Sequence, residues 1–295
     1  MTSILNKNKK FMIAALAPAL IIYLFFVFYP IVRSFIFGFY DWNGLSDPKF
    51  IGLQNFKDIF ADKVFWLSFK NNIFVVLISV LGQIPLGILA AVALSGKLKG
   101  AAFFRTAFFV PMILSTVVVG LLWTTILNVR TGLLKVFLQL FHQTTTPDLL
   151  GNPKYAIWTL CAVILWQFVG LYMVIFLAAL QNIPAEISEA ADIDGASEVT
   201  KFFKIRLPLL WGTIASAAVL CISGGMRTFD LIYVMTGGGP AHSSEVMSTY
   251  MYNKTFAIYQ YGYGSAVSLV IAVFSFVLII ISRTLLLRKA NEGGL

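Results

Sequence analysis

The sequence predicts an all-α polytopic membrane protein with six transmembrane helices and both termini on the cytoplasmic side. Of its 295 residues, 59% are hydrophobic and 12% are charged, against roughly 25% charged in ordinary soluble domains, so the surface suits lipid better than water. Cutting the chain at every Asp, Glu, Lys and Arg leaves six long charge-free windows: Phe11 to Val32, Asn71 to Gly96, Thr106 to Val129, Tyr155 to Ala185, Leu207 to Met226, and Thr255 to Ser282. Each reaches the about 20 residues that a helix needs to cross the hydrocarbon. None alternates as a barrel strand does, and backbone groups in lipid must pair within their own segment, which leaves helices.

The first window follows Lys7, Lys9 and Lys10, the layout of a secretory leader. It is longer than a leader's apolar region and ends in Tyr29, Pro30 and Arg33 without a small-x-small cleavage pattern, so an uncleaved first helix is expected. The longest polar connection, Gly38 to Lys70, holds turn material in "DWNGLSDPKFIG" and an amphipathic piece from Leu53 to Phe69. Its Trp42 and the nearby Trp66 suit a headgroup-level belt. Gln83 beside Pro85 reads as a satisfied amide at a kink in the second helix. Further connections run near Arg130 to Lys154 and through "TGGGPAHSSE", Thr236 to Glu245, whose glycines and proline specify a turn. His142 and His242 stand alone there without metal-ligand spacing. Cys161 and Cys221 fall inside predicted helices, where a thiol acts as a small apolar group, so neither a disulfide nor a metal site is expected.

Orientation follows from the basic residues. Lys7, Lys9, Lys10, Lys97, Lys99, Arg105, Lys201, Lys204, Arg206, Arg283, Arg288 and Lys289 crowd the N-terminus, the second and fourth connections and the C-terminus. The positive-inside rule makes that face cytoplasmic. Lys49, Lys57, Lys63 and Lys70 temper the bias on the opposite face. The net charge of +9 is accounted for by topology and lipid headgroups, without nucleic acid. No polar segment exceeds about 40 residues, well below the roughly 100 of a separate domain, so any soluble catalytic machinery belongs on another chain. The chain divides into residues 1–70 (tail, first helix and outer connection), a five-helix core over 71–286 with a cytoplasmic loop at 182–208, and a tail over 287–295. No solenoid period or inverted repeat is visible.

That loop, "NIPAEISEAADIDGASEVTKFFKIRLP", is the one well-formed polar segment. Pro184 suits a first helical position and Glu186 and Glu189 favour the positive end of the dipole, so a helix is expected from about Pro184 to Asp194. Gly195 permits a left-handed turn, Ser197 can cap a second short helix, and Pro208 opens the fifth crossing. Lys201, Lys204 and Arg206 are expected to reach the lipid surface, with Phe202 and Phe203 on the apolar side. The first helix would then expose a small face, Ala190 and Ala191, flanked by the carboxylates of Glu186, Glu189, Asp192 and Asp194. Small side chains admit a close neighbour and carboxylates set its charge register, so this reads as a partner-binding helix.

These residues carry a resemblance. Glu189-Ala190-Ala191, then Gly195, then Ile205-x-Leu207-Pro208 stand at the spacing of the EAA motif in permease subunits of binding-protein-dependent ABC importers. "EAADIDGAS", with "LQNIPAEISEAA" before and "FDLIYVMTGGGP" after, looks like the carbohydrate branch related to maltose and glycerol-phosphate permeases. The pattern extends over about Asn71 to Ser282, with "DWNGL" and "IGLQNF" upstream. The resemblance implies the type I ABC importer permease fold, with a loop that couples to a cytoplasmic ATPase through Glu186, Glu189, Ala190, Ala191, Asp192, Gly195, Leu207 and Pro208. It also puts Met112, Thr116, Phe168, Leu171, Gly225 and Thr228 towards a substrate passage. Partners implied are a second homologous permease, two ATPase subunits, an extracytoplasmic solute-binding protein and membrane lipid, in the inner membrane of a prokaryote. No cofactor is expected on this chain.

The residues weigh on competing functions. The phosphate-loop pattern is absent, because Gly96-Lys97 is followed by leucine and lacks the earlier glycine. An ion-coupled secondary transporter, the alternative, needs intramembrane ionisable groups, and only Arg227 and Asp230 qualify. Their i, i+3 spacing reads as a structural ion pair. Cys221, Gly224, Gly225 and Thr228 make a narrow small-residue face, by itself the mark of a close helix contact. A membrane enzyme would need a clustered acid-base set or H-E-x-x-H, and neither occurs.

Overall fold

The chain is described by a computed structural model over residues 9–96, 99–143 and 145–292, with side chains from 16 to 285. Lys7, Lys97 and the end of the C-terminal tail lie outside the described residues, as do the side chains of Lys9, Lys10, Arg288 and Lys289. Two compact units are present: residues up to Asp62 with Met251–Val270, and Lys63–Tyr250 with residues from Ile271 onward. The first boundary falls at Asp62, before residue 70, because the helix after it starts early.

In the first unit, helix α1 (Lys9–Tyr23) passes through a π-helical turn, Leu24–Phe28, into α2 (Tyr29–Phe37). The span Leu16–Phe37 is apolar apart from Arg33 and Ser34, and none of its best window is buried within this chain. A two-residue antiparallel pair follows, β1 (Tyr40–Asp41) and β2 (Lys49–Phe50), in register Tyr40 to Phe50. Helix α3 (Gln54–Ala61) closes this connection. Its buried Asn55 donates to the carbonyls of Gly38 and Tyr40 at 2.9 and 3.0 Å, satisfying backbone groups left over where the chain leaves helix for strand. Trp42 is stacked on Phe37 at 4.4 Å, so it packs locally as well as suiting a belt.

The second unit is built on α4 (Lys63–Ser95) and α8 (Ala156–Gln181), with α5 (Ala101–Ile113), α6 (Thr116–Ile126) and the short α7 (Leu133–Leu140) between them in sequence. At 33 residues α4 is about 50 Å long at 1.5 Å per residue, longer than the about 30 Å of hydrocarbon. Two apolar clusters join it to α8. Val75 packs with Leu160, Val163 and Ile164 in the first half of α4, and Ile84, Ile88 and Ala91 pack with Tyr172, Met173 and Phe176 in the second.

The remaining helices are α9 (Ala185–Ile193), α10 (Glu198–Lys201), a π-helical turn over Phe202–Arg206, α11 (Leu207–Leu209), α12 (Trp211–Met226), α13 (Asp230–Met235), α14 (Met247–Tyr252) and α15 (Tyr261–Glu292). Among the described residues four spans are long and apolar enough to cross alone, and six are reached when each of two bent pairs counts as one crossing. The third window is one of these pairs: α5 and α6 meet at 101°. Leu114 and Ser115 adopt extended dihedrals there, with ψ of 144° and 132°. The run stays charge-free through both residues, so a charge-based reading cannot see the break. The fifth window is the other pair, bent by 65° at Leu210. Pro208 therefore lies in the short helical segment before the bend, and the longer helix after it begins at Trp211.

Candidate functional site

The structure gathers the polar and small residues of α4, α6, α8 and α12 round a cavity of about 290 Å³. Its wall is formed by Ser79 and Gln83 of α4, Thr116 of α6, Phe168 and Leu171 of α8, and Cys221, Gly224 and Gly225 of α12. The short link from α12 to α13 adds Arg227, Thr228 and Phe229. Five of the six residues placed towards a passage by resemblance therefore share one wall. Met112 does not line it. Met112 and Thr116 are four apart in sequence, but the break at Leu114 and Ser115 puts them on separate helices, so they are not one turn apart.

The two adjacent glycines of α12 do different work. A Cβ on Gly225 would sit 2.8 Å from Val76 Cγ2, so this glycine lets α12 lie against α4. A Cβ on Gly224 would meet nothing within 4 Å, and the residue opens to the cavity. Asn72 of α4 fastens the same place by donating to the Gly225 carbonyl at 2.9 Å. Gln83 is held at both ends as its burial requires: its amide donates to the Ile164 carbonyl at 3.5 Å and its oxygen accepts from the Cys221 thiol at 3.4 Å. It also borders the cavity, a role that the sequence did not show.

Arg227 and Asp230 form no ion pair with each other or with any described residue. Helix α12 ends at Met226 and α13 begins at Asp230, so the helical geometry that would bring i and i+3 together is missing. Arg227 turns back to the Ser223 carbonyl at 3.3 Å, and both charged residues line the cavity. His242 is not alone either. Its Nδ1 meets the carboxylate of the buried Glu245 inside the Thr236 to Glu245 turn. Asn71 holds that turn by donating to the carbonyls of Ser243 and Glu245 at 3.1 and 2.9 Å.

At the other end of α12 lies the acidic loop. Pro184 is the N-cap of α9, and the helix stops in a Schellman motif: Ala196 N–H donates to Ala191 O at 2.9 Å and Gly195 N–H to Asp192 O at 3.1 Å. Gly195 takes φ +70°, the left-handed conformation that costs most residues with a Cβ about 1–2 kcal/mol, Asn and Asp less. Ser197 caps the next helix, its hydroxyl accepting from Thr200 N–H at 3.2 Å. Glu186, Glu189 and Ala190 are exposed along one face, and Ile193 continues that face at 88% exposure. Ala191 belongs to the other face and is buried, since one position further round a helix turns by about 100°. The expected exposed Ala190–Ala191 pair is thus a single alanine followed by an isoleucine.

Lys201 is the larger correction. It does not reach towards lipid but is buried, with Nζ 2.7 Å from Asp192 Oδ1 and paired also with Glu198. Arg206 completes the group at 3.3 Å from Glu198. Phe202 and Leu207 pack against the Ile84–Phe176 cluster, whereas Phe203 stays 59% exposed. Nothing in the sequence signals the Lys201 contact, because Asp192 lies nine residues away across a left-handed turn.

The comparisons agree with this architecture. Residues 83–289 match the family described as binding-protein-dependent transport system inner membrane component. A probable ABC transporter permease protein, YurN of Bacillus subtilis, is 36% identical over 277 residues, covering 92% of this chain and 94% of its own. The multiple sugar-binding transport system permease protein MsmF of Streptococcus mutans is 34% identical, covering 86% and 87%. The diacetylchitobiose uptake system permease protein NgcF of Streptomyces coelicolor is 31% identical, covering 96% and 84%. A chain of a bacterial alginate ABC transporter, crystallised in complex with an alginate pentasaccharide-bound periplasmic protein, superposes with a TM-score of 0.85 at 22% identity, covering 98% of each chain. By matched length and by relatedness along nearly its whole extent, the chain belongs to the binding-protein-dependent transport system inner membrane component family, the permeases of ABC transporters.

Proposed function

We propose that this chain is one of two permease subunits in an ATP-driven importer of a carbohydrate. It pairs with a homologous sibling, docks two cytoplasmic ATPases through α9, and receives substrate from an extracytoplasmic binding protein. One observation carries the reading: α12 borders the cavity through Cys221, Gly224 and Gly225 and is joined, through the bend at Leu210, to a loop presenting an exposed acidic helix. A helix with Glu186, Glu189, Ala190 and Ile193 outward offers an apolar contact inside a charged rim, the pattern of a protein-binding surface. The sugar assignment is supported by the names of MsmF and NgcF.

In this mechanism ATP-driven closure of the ATPases moves α9, and the motion alternates access to the cavity. Phe168 and Phe229 supply faces on which sugar rings stack, while Gln83, Thr116 and Thr228 supply hydrogen-bonding groups. The unburied span Leu16–Phe37 offers an apolar surface for the sibling and for lipid. The test is reconstitution in proteoliposomes with a panel of radiolabelled disaccharides. Uptake is expected only when sibling, ATPases, binding protein and ATP are all present. Uptake by this chain alone, driven by an ion gradient, would overturn the proposal in favour of a secondary transporter.

A further inference from the structure

We propose that Lys201 is a positioning residue that locks the acidic helix α9 to the helical segment leading into α12, so that the two move as one lever. The proposal rests on reading α9 as the ATPase dock. The backbone between them is a single left-handed turn at Gly195, where a Cβ would meet nothing within 4 Å. Two backbone bonds close that turn, Ala196 N–H to Ala191 O and Gly195 N–H to Asp192 O, and neither reaches past Ala196 into α10. A load placed on α9 would be absorbed there unless a second connection bridged the two arms.

Lys201 is that connection. Its ammonium meets Asp192, in the last turn of α9, at 2.7 Å and also meets Glu198 at the start of its own helix. Arg206, one further turn along, holds Glu198 from the other side at 3.3 Å. Two cations and two carboxylates thus form one balanced group spanning the turn. Lysine is almost never fully buried unless paired, and Lys201 is only 5% exposed. By contrast Glu186, Glu189 and Asp194 are exposed and form no ion pair among the described residues. The loop therefore divides its carboxylates: some face outward, while Asp192 and Glu198 hold Lys201.

Beyond Lys201 the helical path runs on to Leu209 and bends at Leu210, which is 1% exposed and so fixed by its neighbours. It then enters α12, whose later turns wall the cavity. A bridge placed before that bend transmits displacement of α9 as rotation of α12. The test reads that motion directly.

The experiment uses the whole transporter, copurified with its sibling and ATPases, with spin labels at Ala185→Cys on α9 and Gly212→Cys at the start of α12. Both positions are exposed, and the native Cys161 and Cys221 are buried. With Lys201 present, the distance between the labels is expected to stay narrow and unchanged between the nucleotide-free state and the ATP–vanadate-trapped state. Lys201→Gln is expected to lose the narrow distribution and to make it shift on trapping. Lys201→Arg, which keeps charge and reach, is expected to restore it. Asp192→Asn breaks the same bridge from its exposed end, so a folding failure at position 201 leaves the test standing. A distribution equally narrow and static in Lys201→Gln and Asp192→Asn would overturn the proposal. Failure of the ATPases to copurify with the unsubstituted chain would instead sink the docking reading. The width measured without nucleotide in the permease pair alone would still decide whether Lys201 locks the turn.

Discussion

Asn72 joins α4 to two other segments at once: its amide nitrogen donates to Gly225 O at 2.9 Å, and its amide oxygen accepts from Met247 N–H at 3.3 Å. The side chain is fully buried, so no water replaces either bond when it is lost. Leaving a buried polar group unsatisfied costs about 1–3 kcal/mol. Asn72→Leu is therefore expected to destabilise the second unit by about 1–3 kcal/mol, because it orphans Met247 N–H while Gly225 O still accepts from Thr228 N–H. Thermal unfolding of the purified protein in detergent checks this, and an unchanged midpoint would contradict the role assigned to Asn72.

Neighbouring glycines of α12 are expected to respond in opposite ways. Gly225→Ala forces a new Cβ to within 2.8 Å of Val76 Cγ2, so stability should fall, by about 1–3 kcal/mol for overpacking. Gly224→Phe meets nothing within 4 Å at its Cβ and should be tolerated as a fold, while its ring occupies the cavity. Uptake should then fail with little loss of melting temperature. Equal effects of the two substitutions on both readouts would mean that the cavity is not the passage.

At Gly195 backbone and bulk separate. Asn tolerates the left-handed conformation, Ala does not readily, and Trp adds size as well as strain. Gly195→Asn is expected to retain most uptake and Gly195→Ala to lose part of it. Gly195→Trp should abolish uptake and ATPase association while the protein remains in the membrane. Since the position is open within this chain, a loss with Trp far beyond that with Ala reports an outside surface pressed against the turn. Normal association in Gly195→Trp would remove the turn from the dock.

Ile193, 88% exposed on the same face as Glu189, should contribute to that dock by burying apolar area. Ile193→Asp is expected to weaken copurification of the ATPases by about tenfold or more, given that a fully buried aliphatic side chain is worth about 1.5–3 kcal/mol. Val199→Asp, 67% exposed on the next helix, is the comparison that shows whether the dock extends past the turn.

The apolar runs and the turn at Gly195 were legible because each depends on local chemistry. A charge-free run long enough to span, a proline before acidic residues, and a glycine followed by a serine cap all act within a few residues. The breaks at Leu114–Ser115 and Leu210 were not legible, since both fall inside charge-free runs and packing sets the dihedrals there. Arg227 and Asp230 misled for the related reason that spacing predicts a contact only if the helix continues between them.

The sequence by itself determined that this is a helical membrane protein with one acidic loop, and its motif spacing indicated the permease family. Only the tertiary structure decided that Lys201 is buried against Asp192, that Ala191 faces inward while Ile193 faces out, and that Met112 leaves the wall shared by Thr116, Phe168 and Gly225. The division has one physical reason. Lipid solvation and turn chemistry act along the chain, residue by residue, whereas ion pairing across a turn and the lining of a cavity depend on which helices pack together and at what angle.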